Sequence, residues 1–251
     1  MLTCPWIASF WAMAHPLVLN LDSAALAPIS QAQTVTCLNA AGASAFTCDL
    51  ADLAAATLFL EAFQQFALLG VECTVDLRAA QAALLEPQSL DLIARHRGVL
   101  LLRLTSSDPH DKPSAPRAMP LAAASVTQLA RQAAKFGVAI ALDHRAGCWM
   151  QRAEDAVRVA MRVNRADVGV LFNYGHWHEV DGDFELLRER IKLVLPKLFC
   201  VTLPVLSLSA ASVGNVIMKT GGPLDVAPLM QWLTLGGYSG PLVMRVMQVG
   251  P

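Results

Sequence analysis

The sequence predicts an α/β chain folded as a single (β/α)8, or TIM, barrel. Three observations predict it. The 251 residues match the roughly 250 typical of such a barrel. Eight short apolar runs recur along the chain with helical patterns between several of them, the alternation that builds a parallel sheet. Hydrophobic residues make up 55% of the chain and charged residues only 16%, which excludes disorder and supplies strands that can be buried on both faces.

The runs at 16–21, 44–49, 71–77, 98–104, 138–143, 168–173, 198–203 and 241–246 are the expected strands. After the fifth, Ala153, Ala156, Val157, Ala160 and Met161 fall at helical spacing, with Glu154 and Arg158 placed to pair at i,i+4 on the outer face. Phe184, Leu187, Ile191 and Val194 repeat the pattern until Pro196 stops it. Asp225 is placed to cap a helix carrying Val226, Leu229, Met230 and Leu233, ended by Gly236 and Gly237. Residues 106–120 hold four prolines and no periodicity, so they read as a long loop over the barrel mouth. Beyond strand eight the chain leaves no room for a last helix, and the outer face between strands eight and one needs a cover. Residues 1–14 form a separate apolar segment, read either as a short helix over that gap or as a signal peptide ending in Ala12-Met-Ala14. Residues 15–251 form the barrel domain.

Nineteen basic residues against twenty acidic give a net charge of −1, and no Lys/Arg cluster follows an element. Nucleic-acid binding therefore lacks its electrostatic footprint. No run approaches the ~18 apolar residues of a membrane helix, and no G-x-G-x-x-G follows a strand. Six scattered cysteines without C-x-x-C spacing read as buried thiols in a reducing, cytoplasmic setting, with export as the alternative if residues 1–14 are a signal. A small-molecule ligand is the partner this balance favours. Whether the chain forms a homo-oligomer stays open.

The anchor for function is Val168-Gly-Val-Leu-Phe-Asn-Tyr-Gly-His176, an apolar strand ending abruptly in Asn173, His176 and Trp177. Polar groups at the C-terminal end of such a strand lie where barrels carry their chemistry. Together with Ala139-Ile-Ala-Leu-Asp143, the Glu154-Asp-Ala156 helix start and the Gly236-Gly-Tyr-Ser-Gly-Pro-Leu242 turn, this strand end resembles the xylose isomerase-like barrels. That superfamily includes sugar and sugar-phosphate isomerases and epimerases and family 2 AP endonucleases.

The resemblance implies a metal site after strands five to eight, built from Glu, Asp, His and Glu. The corresponding positions here are Asp143, Asn173, Thr202 and Arg245. Asn and Thr are weak ligands for Mn, Mg or Zn, and an arginine repels a cation, so a degenerate site without metal or other cofactor is expected. Asp143, His176 and Arg245 are the expected catalytic residues: Asp143 as acid or base, or else as an ion-pair partner of Arg145 or Arg245, and Arg245 as the electrophile in place of a metal. Asn173, Trp177, Thr202, Arg103 and Arg145 are the expected substrate-binding residues, with Trp177 either stacking on a sugar face or plugging the barrel top. His144 is expected to face the helices. The function this implies is a sugar or sugar-phosphate isomerase or epimerase acting on a small polyhydroxylated or anionic compound. The alternative is a catalytically inactive barrel kept as a binding or interaction protein.

Overall fold

In the computed structural model, residues 17–21, 31–79, 85–208, 218–220 and 224–248 are described. The strands are β1 (Leu17–Asn20), β2 (Ala45–Asp49), β3 (Ala67–Asp76), β4 (Val99–Thr105), β5 (Ile140–Asp143), β6 (Val168–Asn173), β7 (Leu198–Leu208), β8 (Met218–Thr220) and β9 (Leu242–Gln248). β1 to β7 pair in sequence order. β7 pairs β9 and β9 pairs β1, all in parallel, which closes a ring of eight strands. All eight expected strands are present. β3 begins four residues earlier than expected. β7 runs on past residue 203 to make an antiparallel ribbon with β8, opposing Leu206 to Thr220.

Helices cover the outside: α1 (Gln31–Ala41), α2 (Leu53–Ala62), α3 (Pro87–Arg95), α4 (Met119–Ala134), α5 (Ala153–Val163), α6 (Tyr174–Val180), α7 (Phe184–Val194) and α8 (Ala227–Leu235). Each long helix buries one apolar face. On α5 this face is Ala153, Ala156, Val157 and Ala160, and on α7 it is Leu187, Ile191 and Val194. Two details differ from expectation. Met161 lies outside the buried stripe, 60% exposed. Glu154 does not pair with Arg158: it reaches across to Arg190 of α7 at 2.8 Å, while Arg158 lies 3.8 Å from Asp155. The α5–α7 packing brings a partner from another helix close to Glu154, and spacing within one helix cannot show that. Asp225 does hold the start of α8, its Oδ1 accepting from the Ala227 N–H at 2.9 Å.

The expectations for residues 1–14 and for the chain beyond Gln248 fall outside the described residues. Among those residues no helix is long and apolar enough to cross a membrane. Cys48, Cys73, Cys148 and Cys200 are free and buried. Burial pushes the Cys48 thiol up to about 12, with Asp52 and Asp49 adding to it.

Side chains alternate across each strand, so every second residue faces the barrel axis. Val18, Ala45, Leu101, Ala141, Leu171, Cys200 and Val243 form an apolar plug inside the ring. The larger apolar core lies between the ring and its helices. Two residues further along these strands the described interior positions turn polar, at Asn20, Thr47, Arg103, Asp143, Asn173 and Thr202, and β3 adds Glu72, so seven strands of the ring each contribute one polar side chain. Pleat and register thus convert seven separate strand ends into one polar layer above an apolar floor.

Candidate active site at the barrel mouth

The centre of this layer is a network of four charges. Glu72 from β3 and Asp143 from β5 stand on either side of Arg103, which comes from the intervening β4. Arg103 Nη2 contacts Glu72 Oε2, and its Nε lies 3.0 Å from Asp143 Oδ2. Arg145, in the loop after β5, places one nitrogen 3.9 Å from that Glu72 oxygen and 3.8 Å from that Asp143 oxygen. The remaining carboxylate oxygens are tied by amides. Asn20 Nδ2 donates to Glu72 Oε1 at 3.0 Å and to Thr47 Oγ1 at 2.8 Å, and Asn173 Nδ2 donates to Asp143 Oδ1 at 3.1 Å.

Buried charges are tolerated only when paired and hydrogen-bonded, and here both carboxylates are. Burial alone would raise the Asp143 carboxyl. The guanidiniums of Arg145 and Arg103 and the hydrogen bond from Asn173 outweigh it and hold the group below the ordinary carboxylate range. Asp143 is therefore an ionised anchor for two cations. Arg103 and Arg145, expected as substrate-binding residues, do not make the mouth cationic between them, because Glu72 and Asp143 balance them one for one.

Asn173 links the layer to the next element. Its Oδ1 accepts from the His176 N–H at 3.4 Å and caps α6, and its own backbone N–H donates to His144 Nε2 at 3.0 Å. His144 is fully buried on the helix side, its ring 5.5 Å from that of Phe172. Burial lowers its pKa to about 4, so it is a neutral acceptor.

A family model described as "Xylose isomerase-like TIM barrel" matches residues 73–247. The chain belongs to this family. Solved structures agree on the fold of this xylose isomerase-like barrel. A 3-keto-D-glucoside 4-epimerase from E. coli is 14% identical, with 93% of this chain and 94% of that one covered and a TM-score of 0.62. D-allulose 3-epimerase from Methylomonas sp., in complex with D-allulose, is 17% identical over 92% of this chain and 85% of that one, with a TM-score of 0.65. A family 2 AP endonuclease from Brucella melitensis is 15% identical over 94% of both chains, again with a TM-score of 0.65. A xylose isomerase-like TIM barrel/4-hydroxyphenylpyruvate dioxygenase fusion protein matches over 94% of this chain, which spans only 39% of the fusion. No curated protein matches the sequence.

Within this barrel the expected site residues divide. Asp143, Asn173, Arg103 and Arg145 are brought together as described. Thr202 is buried beside them in register, paired with Asn173 across β6 and β7. Arg245 is placed by its backbone opposite Asn20 on β1, but its side chain lies outside the described residues. His176 sits in the first turn of α6, a quarter exposed, with Nδ1 2.8 Å from Glu179 Oε2.

Trp177 is 1% exposed, stacked on Tyr174 with ring centroids 5.7 Å apart and flanked by Phe172 and Phe184. Its ring has no face left for a sugar, which corrects the stacking expectation: the side chain belongs to the larger apolar core. Glu72, Asn20 and Thr47 were not anticipated. The signal was present in Glu72, a lone carboxylate inside the apolar Gly70-Val-Glu-Cys-Thr-Val75 run.

Proposed function

We propose that this chain binds a small polyhydroxylated, sugar-like compound at the barrel mouth and converts it by isomerisation or epimerisation without a resident metal. The carrying observation is the layer of polar side chains, one from each of seven strands of the ring, with Arg103 at its centre and Arg145 beside it. A guanidinium presents up to five N–H donors in a fixed plane and suits carbonyl and hydroxyl oxygens of a ketose or keto-sugar. Arg103 and Arg145 would polarise the ligand's carbonyl, Asn173 and Thr202 would bond its hydroxyls, His176 at the rim would act as proton-transfer group, and Arg245 from β9 would be a second electrophile. The epimerases among the structural neighbours lend support through a shared fold.

A divalent cation does not suit the donor set. Glu72 and Asp143 are already taken by two guanidiniums, and like charges ~4 Å apart cost on the order of 4 kcal/mol per unit charge pair at an effective dielectric near 20. Among the described residues no three His, Cys, Asp or Glu side chains cluster as metal ligands.

One observation favours the second reading, a barrel that binds without turnover: Asp143, held ionised by two cations, is a weak base. The test is a panel of ketoses, keto-sugars and their phosphates, monitored by NMR in D2O. Binding with deuterium uptake at the carbon next to the carbonyl is the expected result. Binding without exchange would transfer the chain to the second reading, and absence of binding throughout the panel would refute both. Arg145→Met and His176→Ala, assayed beside a Cys148→Ser control, should weaken binding while leaving the fold intact.

A further inference from the structure

The geometry around Arg103 points to a cation site that the chain fills from within. Glu72 and Asp143 approach each other across β4 with a clear division between their oxygens. The outer ones, Glu72 Oε1 and Asp143 Oδ1, accept from the amides of Asn20 and Asn173. The inner ones, Glu72 Oε2 and Asp143 Oδ2, both face the Arg103 guanidinium, and the same two oxygens are approached by Arg145. Carboxylates whose outer oxygens are fixed by hydrogen bonds, leaving the inner pair aimed at one point, are arranged as a cation's ligands and their supporting shell are arranged. The two carboxylate side chains are 8% and 3% exposed. Two anions that deep cannot both stay ionised beside each other without a cation between them.

We propose that the Arg103 guanidinium is this chain's covalently attached replacement for a bound cation, and that removing it uncovers a site for Mn2+ or free guanidinium between Glu72 and Asp143. The proposal rests on the metal-free part of the reading above and not on the identity of any sugar. Because its test contains no sugar, the two can fail separately.

Arg145 already stands over the same oxygens and would close on the gap, so the test removes both cations in Arg103→Ala/Arg145→Ala. Melting temperature and calorimetric Mn2+ binding are measured with no addition, with Mn2+ and with guanidinium at millimolar concentration. Wild type should show no Mn2+ binding. The double variant should bind one Mn2+ and melt several degrees higher with either cation. Should it fail to fold alone, refolding in the presence of either cation should recover it. Adding Glu72→Gln and Asp143→Asn to the double variant should give a protein that folds without cations and binds none. The proposal is overturned if wild type binds Mn2+ at this site, or if the double variant is neither stabilised nor recovered by any cation.

Discussion

Replacing His144 by glutamine should remove a defined part of this protein's acid sensitivity. His144 is fully buried, and its Nε2 accepts the backbone N–H of Asn173, so the neutral ring carries its proton on Nδ1. Protonating Nε2 would set a donor against a donor and place a charge in the apolar layer behind β6. Burial accordingly lowers the pKa from 6.5 to about 4. The folded-state value lies below the unfolded one, so the unfolded chain takes up the proton first. The corresponding stability is fully present above pH 6.5 and is lost as pH falls toward 4. Those two values give a loss of about 2 kcal/mol by pH 5 and about 3 kcal/mol by pH 4. In a domain of this size the first figure corresponds to a fall in melting temperature of roughly 4–8 °C.

The assay is urea unfolding at half-unit steps from pH 7.5 to 4.5 on wild type and His144→Gln, whose side-chain carbonyl can replace Nε2 as acceptor without titrating. Wild type should lose stability across this window, and the variant should lose about 2 kcal/mol less between pH 7 and 5. Parallel curves for the two proteins would refute the reasoning, since they would mean that the ring is protonated at no cost in the folded state. The consequence reaches the mouth, because the same hydrogen bond fixes the β6 end that carries Asn173.

Two further outcomes follow from the packing. Asp143→Asn leaves Arg103 and Arg145 facing Glu72 alone, and should cost about 3–5 kcal/mol in urea unfolding, as breaking a buried ion pair does; a loss below about 1 kcal/mol would show that solvent already screens the network. Gly169→Ala should destabilise by about 1–3 kcal/mol, because a Cβ there would lie 2.4 Å from the Phe199 ring inside the barrel, whereas unchanged stability would mean that Phe199 is free to swing aside.

Much of the architecture was legible in the chain because its signals are local. The β-branched and large apolar residues of 168–173 specify a strand buried on both faces whatever surrounds them, and the 3.6-residue spacing of 184–194 marks a helix by itself. The same local logic placed Asp143 and Asn173 at strand ends, and the family resemblance added Thr202. What it could not provide is partnership. Asn20 and Glu72 lie 52 residues apart in sequence and Arg103 and Asp143 lie 40 apart, so only the register of the closed barrel brings them within hydrogen-bond reach.

Arg103 and Arg145 read alone as a cationic mouth; with Glu72 and Asp143 beside them they form a balanced network. Trp177, next to His176 in sequence, looks available to a ligand until the turn of α6 directs its ring into the core. Periodicity and composition determined the elements, since each depends on residues a few positions apart. Charge balance, burial and the composition of the mouth were decided by the tertiary structure, because each depends on which of the eight strands stand side by side when the ring closes.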